Sequence, residues 1–172
     1  MARYKVDPTA WFERKFPSID DTGRLPTLVE RLISTPLRLT AKVSGITDLN
    51  LEVGKSGRWS VKEEIGHLVT LEPLWLGRVH DILQEELILR EADLTNQATF
   101  DGNFNEWDVD ELVRAFREER IRLTAALEQL SSFDLEKSSL HPRLKIRMKI
   151  VDLAFFIAEH DDHHLVRIGN LL

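Results

Sequence analysis

Residues 58–68 read Arg-Trp-Ser-Val-Lys-Glu-Glu-Ile-Gly-His-Leu, and they decide the fold because they mark the start of a long helix. Ser60 and Glu63 stand three residues apart before an apolar run, a pattern typical of the capping box that satisfies backbone N–H groups at a helix N-terminus. Beyond the cap, apolar side chains recur at helical spacing, at Val61, Ile65, Leu68, Leu71, Trp75, Val79 and Ile82. The pattern predicts a helix over residues 60–82, with a local bend at Pro73 because proline removes one backbone hydrogen bond.

Three more segments, residues 25–43, 108–130 and 147–171, have apolar side chains at the same spacing of three and four. Pro36 lies deep inside the first of them and predicts either a kink or a division into two shorter helices. The charged side chains of residues 108–130 are most simply a solvated face; they are Arg114, Arg117, Glu118, Glu119, Arg120 and Arg122.

The segments between these helices are rich in turn residues and contain no convincing pair of strands. The sequence therefore predicts an all-α four-helix bundle with connections over residues 46–59, 92–107 and 131–146.

An irregular arm is predicted before the first helix. Pro8 and Pro17 interrupt this segment, and its three large rings, Trp11, Phe12 and Phe16, suggest that it packs on the bundle. We accordingly divide the chain into an arm, residues 1–24, and one bundle domain, residues 25–172.

The composition fits a single soluble domain, with 172 residues of which 42% are apolar and 30% are charged. The formal net charge of -6 disfavours nucleic-acid binding. Cysteine is absent, which excludes disulfides, thiolate metal sites and cysteine nucleophiles. No apolar run reaches the roughly 18 residues of a membrane span, and no signal peptide is recognisable. We therefore expect a cytoplasmic protein without a membrane partner.

The chemistry is expected in the last helix, where residues 158–165 read Ala-Glu-His-Asp-Asp-His-His-Leu. His160 and His164 are four residues apart, so both imidazoles project from nearly one helix face. The other side chains of that face are aliphatic: Leu153, Ile157, Ile168 and Leu171. Two imidazoles in an apolar seam need partners for their nitrogens. A shared metal ion would be the partner of one nitrogen of each ring. A pair of core histidines bonded to backbone or carboxylates also fits the spacing.

His67 in the second helix is the third candidate, and Gly66 before it allows close approach by a neighbouring element. A third histidine from another helix would complete a three-histidine metal site with an open position, which is typical of catalytic rather than structural sites. Taken alone, His67 is more often a hydrogen-bonded core or surface histidine.

The other titratable residues carry weaker arguments. His163 points away from the face of the pair, His80 lies too far along its helix, and His141 belongs to a loop that could cover the site. The carboxylates that could orient metal ligands, or else be surface charges, are Glu64, Asp152, Asp161 and Asp162. Glu64, one turn from His67, is a weak candidate for a catalytic carboxylate. A di-iron site fits poorly, because Glu64–His67 is the only Glu-x-x-His pattern.

Residues 58–68, the pair His141-Pro142 and residues 156–164 together resemble the motifs of the DinB-like superfamily. The resemblance covers about residues 25–172. It implies an up-down-down-up four-helix bundle that binds one divalent metal ion, zinc or nickel, through His67, His160 and His164. It also implies a metal-dependent hydrolase, or a thiol S-transferase that uses bacillithiol, mycothiol or glutathione. Dimers are common in the superfamily, so the resemblance further implies a homodimer. The aromatic arm is less typical of the family.

Two classes of function remain open from the sequence. The first is a metal-dependent enzyme with a mononuclear three-histidine site that acts on a small molecule, by hydrolysis or by transfer to a low-molecular-weight thiol. The second is a non-catalytic metal-binding, interaction or stress-response bundle whose metal is structural, incidental or absent. No thiol-binding signature and no general base distinguish the two reactions of the first class.

Overall fold

The protein is a bundle of four long helices in a computed structural model, which describes residues 6–47, 51–52, 54 and 58–172. The helices are α1 (Leu25–Val43), α2 (Val61–Leu83), α3 (Val109–Glu128) and α4 (Ile150–Leu171). They coincide with the four amphipathic segments, so the predicted all-α class is confirmed. Parts of the connection over residues 46–59 and of the arm lie outside the described residues. No helix among those described is long and apolar enough to cross a bilayer.

Contacts between distant residues give the direction of each helix. Residue numbers rise together between α1 and α4 and between α2 and α3, but in opposite directions between α2 and α4. The pairs are Arg31–Glu159 and Arg38–Asp162 for α1 with α4, Glu72–Arg120 for α2 with α3, and Glu64–His164 and Trp75–Phe156 for α2 with α4. The first halves of α2 and α3 also belong to one apolar cluster and their second halves to the other. The topology is therefore up-down-down-up, as the resemblance implied.

The capping box of α2 forms as predicted. The Ser60 hydroxyl accepts from the Glu63 backbone N–H at 3.0 Å, and the Glu63 carboxylate accepts from the Ser60 N–H at 2.7 Å. At the start of α4, the Asp152 carboxylate accepts from the backbone N–H of Lys149 and from that of Ile19. The same carboxylate therefore caps α4 and attaches the end of the arm to the bundle.

The core consists of two apolar clusters, one toward each end of the bundle. Between them lies a buried polar layer to which every helix contributes: Leu32 and Thr35 from α1, Glu72 from α2, Arg120 from α3 and Asp161 from α4. We call this set the Arg120 layer. Along the bundle axis, it lies at the level between the two apolar clusters.

Arg120 corrects the prediction of a solvated face, because it is only 2% exposed. Its Nε and Nη2 donate to the two oxygens of Glu72 at 3.0 and 2.6 Å, and its Nη2 also donates to Asp161 at 3.0 Å. The other charged residues of α3 in that prediction lie at or near the surface. The spacing contained a signal that was missed, because Arg120 lies four residues after Phe116 and three before Leu123 and so occupies a position of the apolar stripe.

Pro36 does not divide α1, which is a single helix from Leu25 to Val43. Proline has no N–H, so the carbonyl of Leu32 four residues earlier loses its helical partner. Arg120 Nη1 donates to this carbonyl at 3.2 Å and replaces the missing bond. The proline thus creates an acceptor that the Arg120 layer uses.

Two connections contain structure that the sequence did not predict. The loop over residues 131–146 and the residues after it form an antiparallel pair, β1 (Ser138–Leu140) and β2 (Arg147–Lys149), and α4 begins only at Ile150. The segment over residues 92–107 contains a five-residue helix, Gln97–Asp101, and a 3₁₀ turn at residues 104–106. These elements were missed because they are too short to show a period.

The arm packs on α4, as predicted, but not with all three rings. Trp11 and Phe16 lie edge-on or tilted against Phe156, with ring centroids 5.1 and 4.7 Å away. Phe12 does not join them: it is 65% exposed, with the guanidinium of Arg143 over its ring.

Replacing Arg120 by Met should lower the free energy of unfolding by about 3–5 kcal/mol, because Glu72 and Asp161 then remain buried without a cation. Burial raises the pKa of Glu72 to about 7 and Arg120 opposes that rise, so without Arg120 the pKa of Glu72 rises further in the folded state. A carboxyl with such a raised pKa destabilises the fold increasingly as pH rises from its unfolded-state pKa to its folded-state pKa. The deficit should therefore be larger at pH 8 than at pH 5, as measured by urea denaturation. Arg117→Met, on the exposed face, is the control; equal stability of both variants would contradict the role of the Arg120 layer.

Candidate metal centre

The three histidines selected from the sequence lie together in the bundle interior. The ring centroids of His160 and His164 are 4.4 Å apart, and those of His67 and His164 are 4.8 Å apart. One nitrogen of each ring lies within 4.8 Å of the others, and all three side chains are buried. Among the residues that the structure describes, this is the one group of three or more potential ligands with that geometry.

Local structure explains why the rings meet. His160 and His164 share one face of α4, and α2 runs antiparallel to α4, so that His67 faces them. Gly66 packs directly under the ring of Phe104, and a Cβ at this position would overlap that ring. The glycine therefore has the role expected of it, since it allows the segment after α2 to approach the helix beside His67.

Partners on the outer side of two rings orient them. His164 Nδ1 is 2.6 Å from Glu64 Oε2, and His67 Nδ1 is 3.0 Å from the Thr99 hydroxyl. An ionised carboxylate only accepts, so the proton of His164 is on Nδ1 and its Nε2 keeps a free lone pair. Thr99 Oγ1 can accept from His67 in the same way. This outer hydrogen bonding is typical of metal-ligating histidines.

The geometry of His160 fits a metal ligand better than a simple core histidine. Its Nε2 is 3.2 Å from Nε2 of His164. Two nitrogens on one tetrahedral zinc ion are about 3.3 Å apart, given Zn–N bonds of about 2.0–2.1 Å. Its Nδ1 is buried, and no acceptor or donor contacts it within the described parts of the chain. Nδ1 is not the nitrogen that faces His164, so a metal ion shared with His164 would bind Nε2 and would leave Nδ1 without a partner.

Burial keeps the three imidazoles neutral. Desolvation lowers the pKa of His67 to about 4, with Arg167 adding to the effect and Glu64 opposing it. Desolvation lowers the pKa values of His160 and His164 well below the usual range, and repulsion from neighbouring histidines adds to it. A neutral imidazole is the form that binds a metal ion. The donor set of three neutral imidazoles therefore fits a divalent ion such as zinc or nickel.

Glu64 is buried and both of its oxygens are in use. Oε2 faces His164, and Oε1 accepts from Arg167 Nε at 2.6 Å. Burial raises the pKa of this carboxyl, and the charge and hydrogen bond of Arg167 act against that rise. Arg167 therefore favours the ionised Glu64 that His164 requires. Glu64 therefore lies on the Nδ1 side of His164, whereas the Nε2 of that ring faces His160.

Indole rings surround the histidines. The Trp59 ring lies 4.7 Å from the His67 ring and is stacked 6.5 Å from that of His164. Trp11 of the arm and Trp75 of α2 contact His160 edge-on, at 4.9 and 5.5 Å. All six rings line one cavity of about 1180 Å³. Its volume exceeds the roughly 300–1,000 Å³ of common small-molecule sites.

The weaker sequence candidates have other positions. His163 is half-buried at the cavity wall, 3.4 Å from the Arg14 guanidinium, and His80 is exposed. His141 does line the cavity, but it is buried in the wall, 3.3 Å from Arg78. Of the three aspartates, Asp152 caps α4, Asp161 belongs to the Arg120 layer and Asp162 pairs with Arg31 and Arg38. Among the carboxylates proposed from the sequence, only Glu64 hydrogen-bonds one of the three clustered histidines within the described residues.

Sequence reasoning missed three contributors to the site: Thr99, Trp11 and Arg167. Thr99 lies in a segment interpreted as a linker, and the arm that carries Trp11 had no assigned place. Arg167 had a recognisable signal, because it lies three residues after His164 and hence on a neighbouring part of the same helix face.

Comparison with known proteins agrees with the four-helix fold. A family model described as the DinB superfamily matches residues 7–167 and so includes part of the arm. The solved structure of YfiT from Bacillus subtilis is similar, with a TM-score of 0.76 and 22% sequence identity over 92% of this chain and 91% of that chain. YfiT is described as a probable metal-dependent hydrolase with an unusual four-helix bundle topology. No functionally curated protein matches the chain.

The lowered pKa values predict how metal binding depends on pH. Three unshifted imidazoles of pKa about 6.5 would lose about a thousandfold in metal affinity between pH 7.5 and pH 5.5, because a proton competes at each ligand. Protons compete only below the folded-state pKa, which for His67 is about 4 and for the other two histidines is well below 6.5. We therefore expect zinc affinity to change by less than about tenfold over this interval. Competition titration with a chromogenic chelator measures it, and a thousandfold loss would contradict the neutral cluster.

Proposed function

The chain belongs to the DinB superfamily, and from this premise we propose that His67, His160 and His164 hold one divalent metal ion at which a small molecule reacts. One observation carries the proposal. Three neutral, buried imidazoles from two helices converge in the wall of a large cavity, and one nitrogen of each lies within 4.8 Å of the other two.

The three histidines would supply one nitrogen each, so a four-coordinate ion would keep one position for water or substrate. An ion held there supplies Lewis acidity, which acidifies a water molecule or a thiol and polarises an electrophile. Glu64 fixes the orientation of His164, and Thr99 that of His67. Their removal should weaken metal binding by about 10–100-fold, as is usual for groups that orient ligands. Glu64 is thus a positioning residue, because both oxygens of its carboxylate are engaged.

The tryptophans exclude water from the ligands. Trp59 covers His67, and Trp11 and Trp75 cover His160. Electrostatic interactions are stronger in such a site than in water. The arm therefore contributes to the proposed reaction by enclosing the site with Trp11.

Two reactions are compatible with this arrangement: hydrolysis, and transfer of an electrophile to a low-molecular-weight thiol. Hydrolysis is supported by the similarity to YfiT, which is described as a probable metal-dependent hydrolase. Thiol transfer is supported by the resemblance to superfamily members that use such thiols. The runner-up, a non-catalytic metal-binding bundle, is less well supported, because a structural ion would be enclosed by four protein ligands rather than placed beside a cavity.

Alanine at any one ligand should abolish stoichiometric metal binding. His67→Ala and His160→Ala each leave two nitrogens, which are too few for a stable site in this pocket. Elemental analysis and calorimetry with zinc and nickel measure the loss. His80→Ala, on the exposed part of α2, and His163→Ala, beside the site but outside the cluster, should bind one ion like the wild type. Full metal occupancy in His67→Ala or His160→Ala would remove that residue from the ligand set.

The same variants test catalysis. Metal-loaded protein is assayed with ester and amide panels, and separately with glutathione or bacillithiol and an electrophilic dye. A hydrolase releases product without thiol, whereas an S-transferase consumes thiol and electrophile in equal amounts. Either activity should disappear in His67→Ala and persist in His80→Ala. A metal-binding wild type that is inactive in every assay would favour the non-catalytic bundle.

Metal removal should lower the melting temperature without unfolding the protein. The two apolar clusters and the Arg120 layer already hold the helices together. An ion that binds only the folded state adds about 2.7 kcal/mol at one hundred times its Kd, or roughly 5–11 °C for a domain of this size. His164→Ala should melt near the chelated wild type and gain little from added zinc. Circular dichroism with a thermal ramp decides the matter; identical melts of the wild type with and without chelator would contradict the site.

A further inference from the structure

Four arginines line the cavity that holds the histidines: Arg58, Arg78, Arg143 and Arg167. Arg167 pairs with Glu64 and Arg58 is exposed, whereas Arg78 is buried, Arg143 is half-buried, and the proposed metal site uses neither. Arg78 lies on α2, and Arg143 follows His141-Pro142 in the loop between the two strands. No carboxylate forms a salt bridge with Arg78 or Arg143 anywhere in residues 6–47, 51–52, 54 and 58–172.

Arg78 is a buried cation with only neutral neighbours in contact. It is 2% exposed, and its Nε donates to the Arg90 carbonyl at 3.1 Å. Its Nη1 lies 3.3 Å from the His141 ring, and its Cζ lies 5.4 Å from the Trp75 ring centroid. The carboxylate of Asp81 raises the pKa of Arg78 through its charge, but it already accepts four hydrogen bonds from the backbone and side chain of Arg90. Burial lowers the pKa of Arg78 to about 10, so it remains charged near neutral pH.

Two further donors in the same wall have no acceptor. Arg143 Nη2 and Trp75 Nε1 are buried, and neither contacts a hydrogen-bond acceptor in the described residues. A buried N–H without a partner destabilises the folded state, and does so more when it is charged. The backbone N–H of Arg143 lies 3.2 Å from His141 Nδ1, so His141 links the two arginines. The wall therefore has an excess of donors and of positive charge.

We propose that Arg78 and Arg143, with Trp75, form a binding subsite for an anionic oxygen group of the substrate, a carboxylate or a phosphate. Such a group supplies acceptors and negative charge, which are the two properties that this wall lacks. The acidic residues of the cavity do not supply this negative charge to Arg78 and Arg143. Asp7, Glu91 and Asp93 are exposed to solvent, and Glu64 is held by His164 and Arg167.

The position of the subsite defines the shape of the substrate. The Trp75 ring separates the two sites, since it lies 5.5 Å from the His160 ring and 5.4 Å from the Arg78 guanidinium. Leu71 and Phe156 add apolar surface to the same cavity. The substrate would thus carry its anionic group about one indole width from its reacting group, with an apolar part between them. The reacting group of this substrate is inferred from the proposed metal chemistry, whereas the anion subsite does not depend on that chemistry.

Calorimetric titration of the metal-free full-length protein tests the subsite at constant ionic strength. The probes are succinate, inorganic phosphate and, as the uncharged match of succinate, succinamide. We expect at least one of the two anions to bind with a Kd of about 1 mM or tighter. Succinamide should not bind. The stronger anion identifies the group as carboxylate or phosphate.

Variants locate the anion. Arg78→Met and Arg143→Met should each weaken binding by at least tenfold, whereas Arg114→Met, on the exposed face of α3, should leave it unchanged. Arg143 is only partly buried, so its variant decides the test if Arg78→Met does not fold. His67→Gln, which removes a proposed metal ligand, should keep the anion affinity. Hence a failed metal site and a failed anion subsite give different results.

Three outcomes would overturn the proposal. The first is that neither anion binds even at a concentration of about ten times the expected Kd. The second is equal affinity for succinate and succinamide. The third is an affinity that survives Arg143→Met or that disappears with His67→Gln, since the anion would then lie elsewhere or at the histidines.

Discussion

The guanidinium of Arg120 at the centre of the bundle is the interaction on which the other features depend. It bonds Glu72 of α2, Asp161 of α4 and the Leu32 carbonyl of α1, and the Thr35 hydroxyl donates to the same aspartate. These bonds fix the height of each helix relative to the others. Glu72 is five residues after His67, and Asp161 follows His160 directly. The helix register that satisfies Arg120 is therefore the register that brings the three imidazoles together.

The Arg120 layer joins the helices at a large desolvation cost. Taking a guanidinium and two carboxylates out of water costs several kcal/mol per ion, and an apolar layer of the same volume is often as stable. Two carboxylates share one cation here, so charge is not balanced, and burial raises the pKa of Glu72 to about 7. An apolar layer, however, accepts small axial shifts, whereas fixed hydrogen bonds do not. We infer that the layer supplies register, which a cluster of ligands from two helices requires.

The sequence predicted the features that depend on local spacing. The cap at Ser60, the four amphipathic segments and the shared face of His160 and His164 follow from periods of three and four residues. His67 was chosen as a third candidate from its place in the second helix and from Gly66 before it, and only the resemblance to a family assigned it as a ligand, because spacing alone relates no residue on α2 to one on α4. The charge of Arg120 led to its assignment to a solvated face although it lies on the apolar stripe of α3, and spacing could not identify its partners, which lie 41 and 48 residues away in the chain. Thr99 and Trp11 reach the site from segments whose sequences show no period at all.

The histidine cluster and the wall of arginines share one physical property, since both contain buried polar groups that the protein leaves without partners. His160 Nδ1, Trp75 Nε1 and Arg143 Nη2 are three such atoms around one cavity. Sequences that served only stability would replace or satisfy these groups, because each costs free energy in the folded state. The apolar clusters at both ends and the bonds of Arg120 allow the bundle to tolerate that cost. The unsatisfied donors of Trp75 and Arg143 are consequently best explained by an anion that completes them, and the converging nitrogens of the three histidines by a cation.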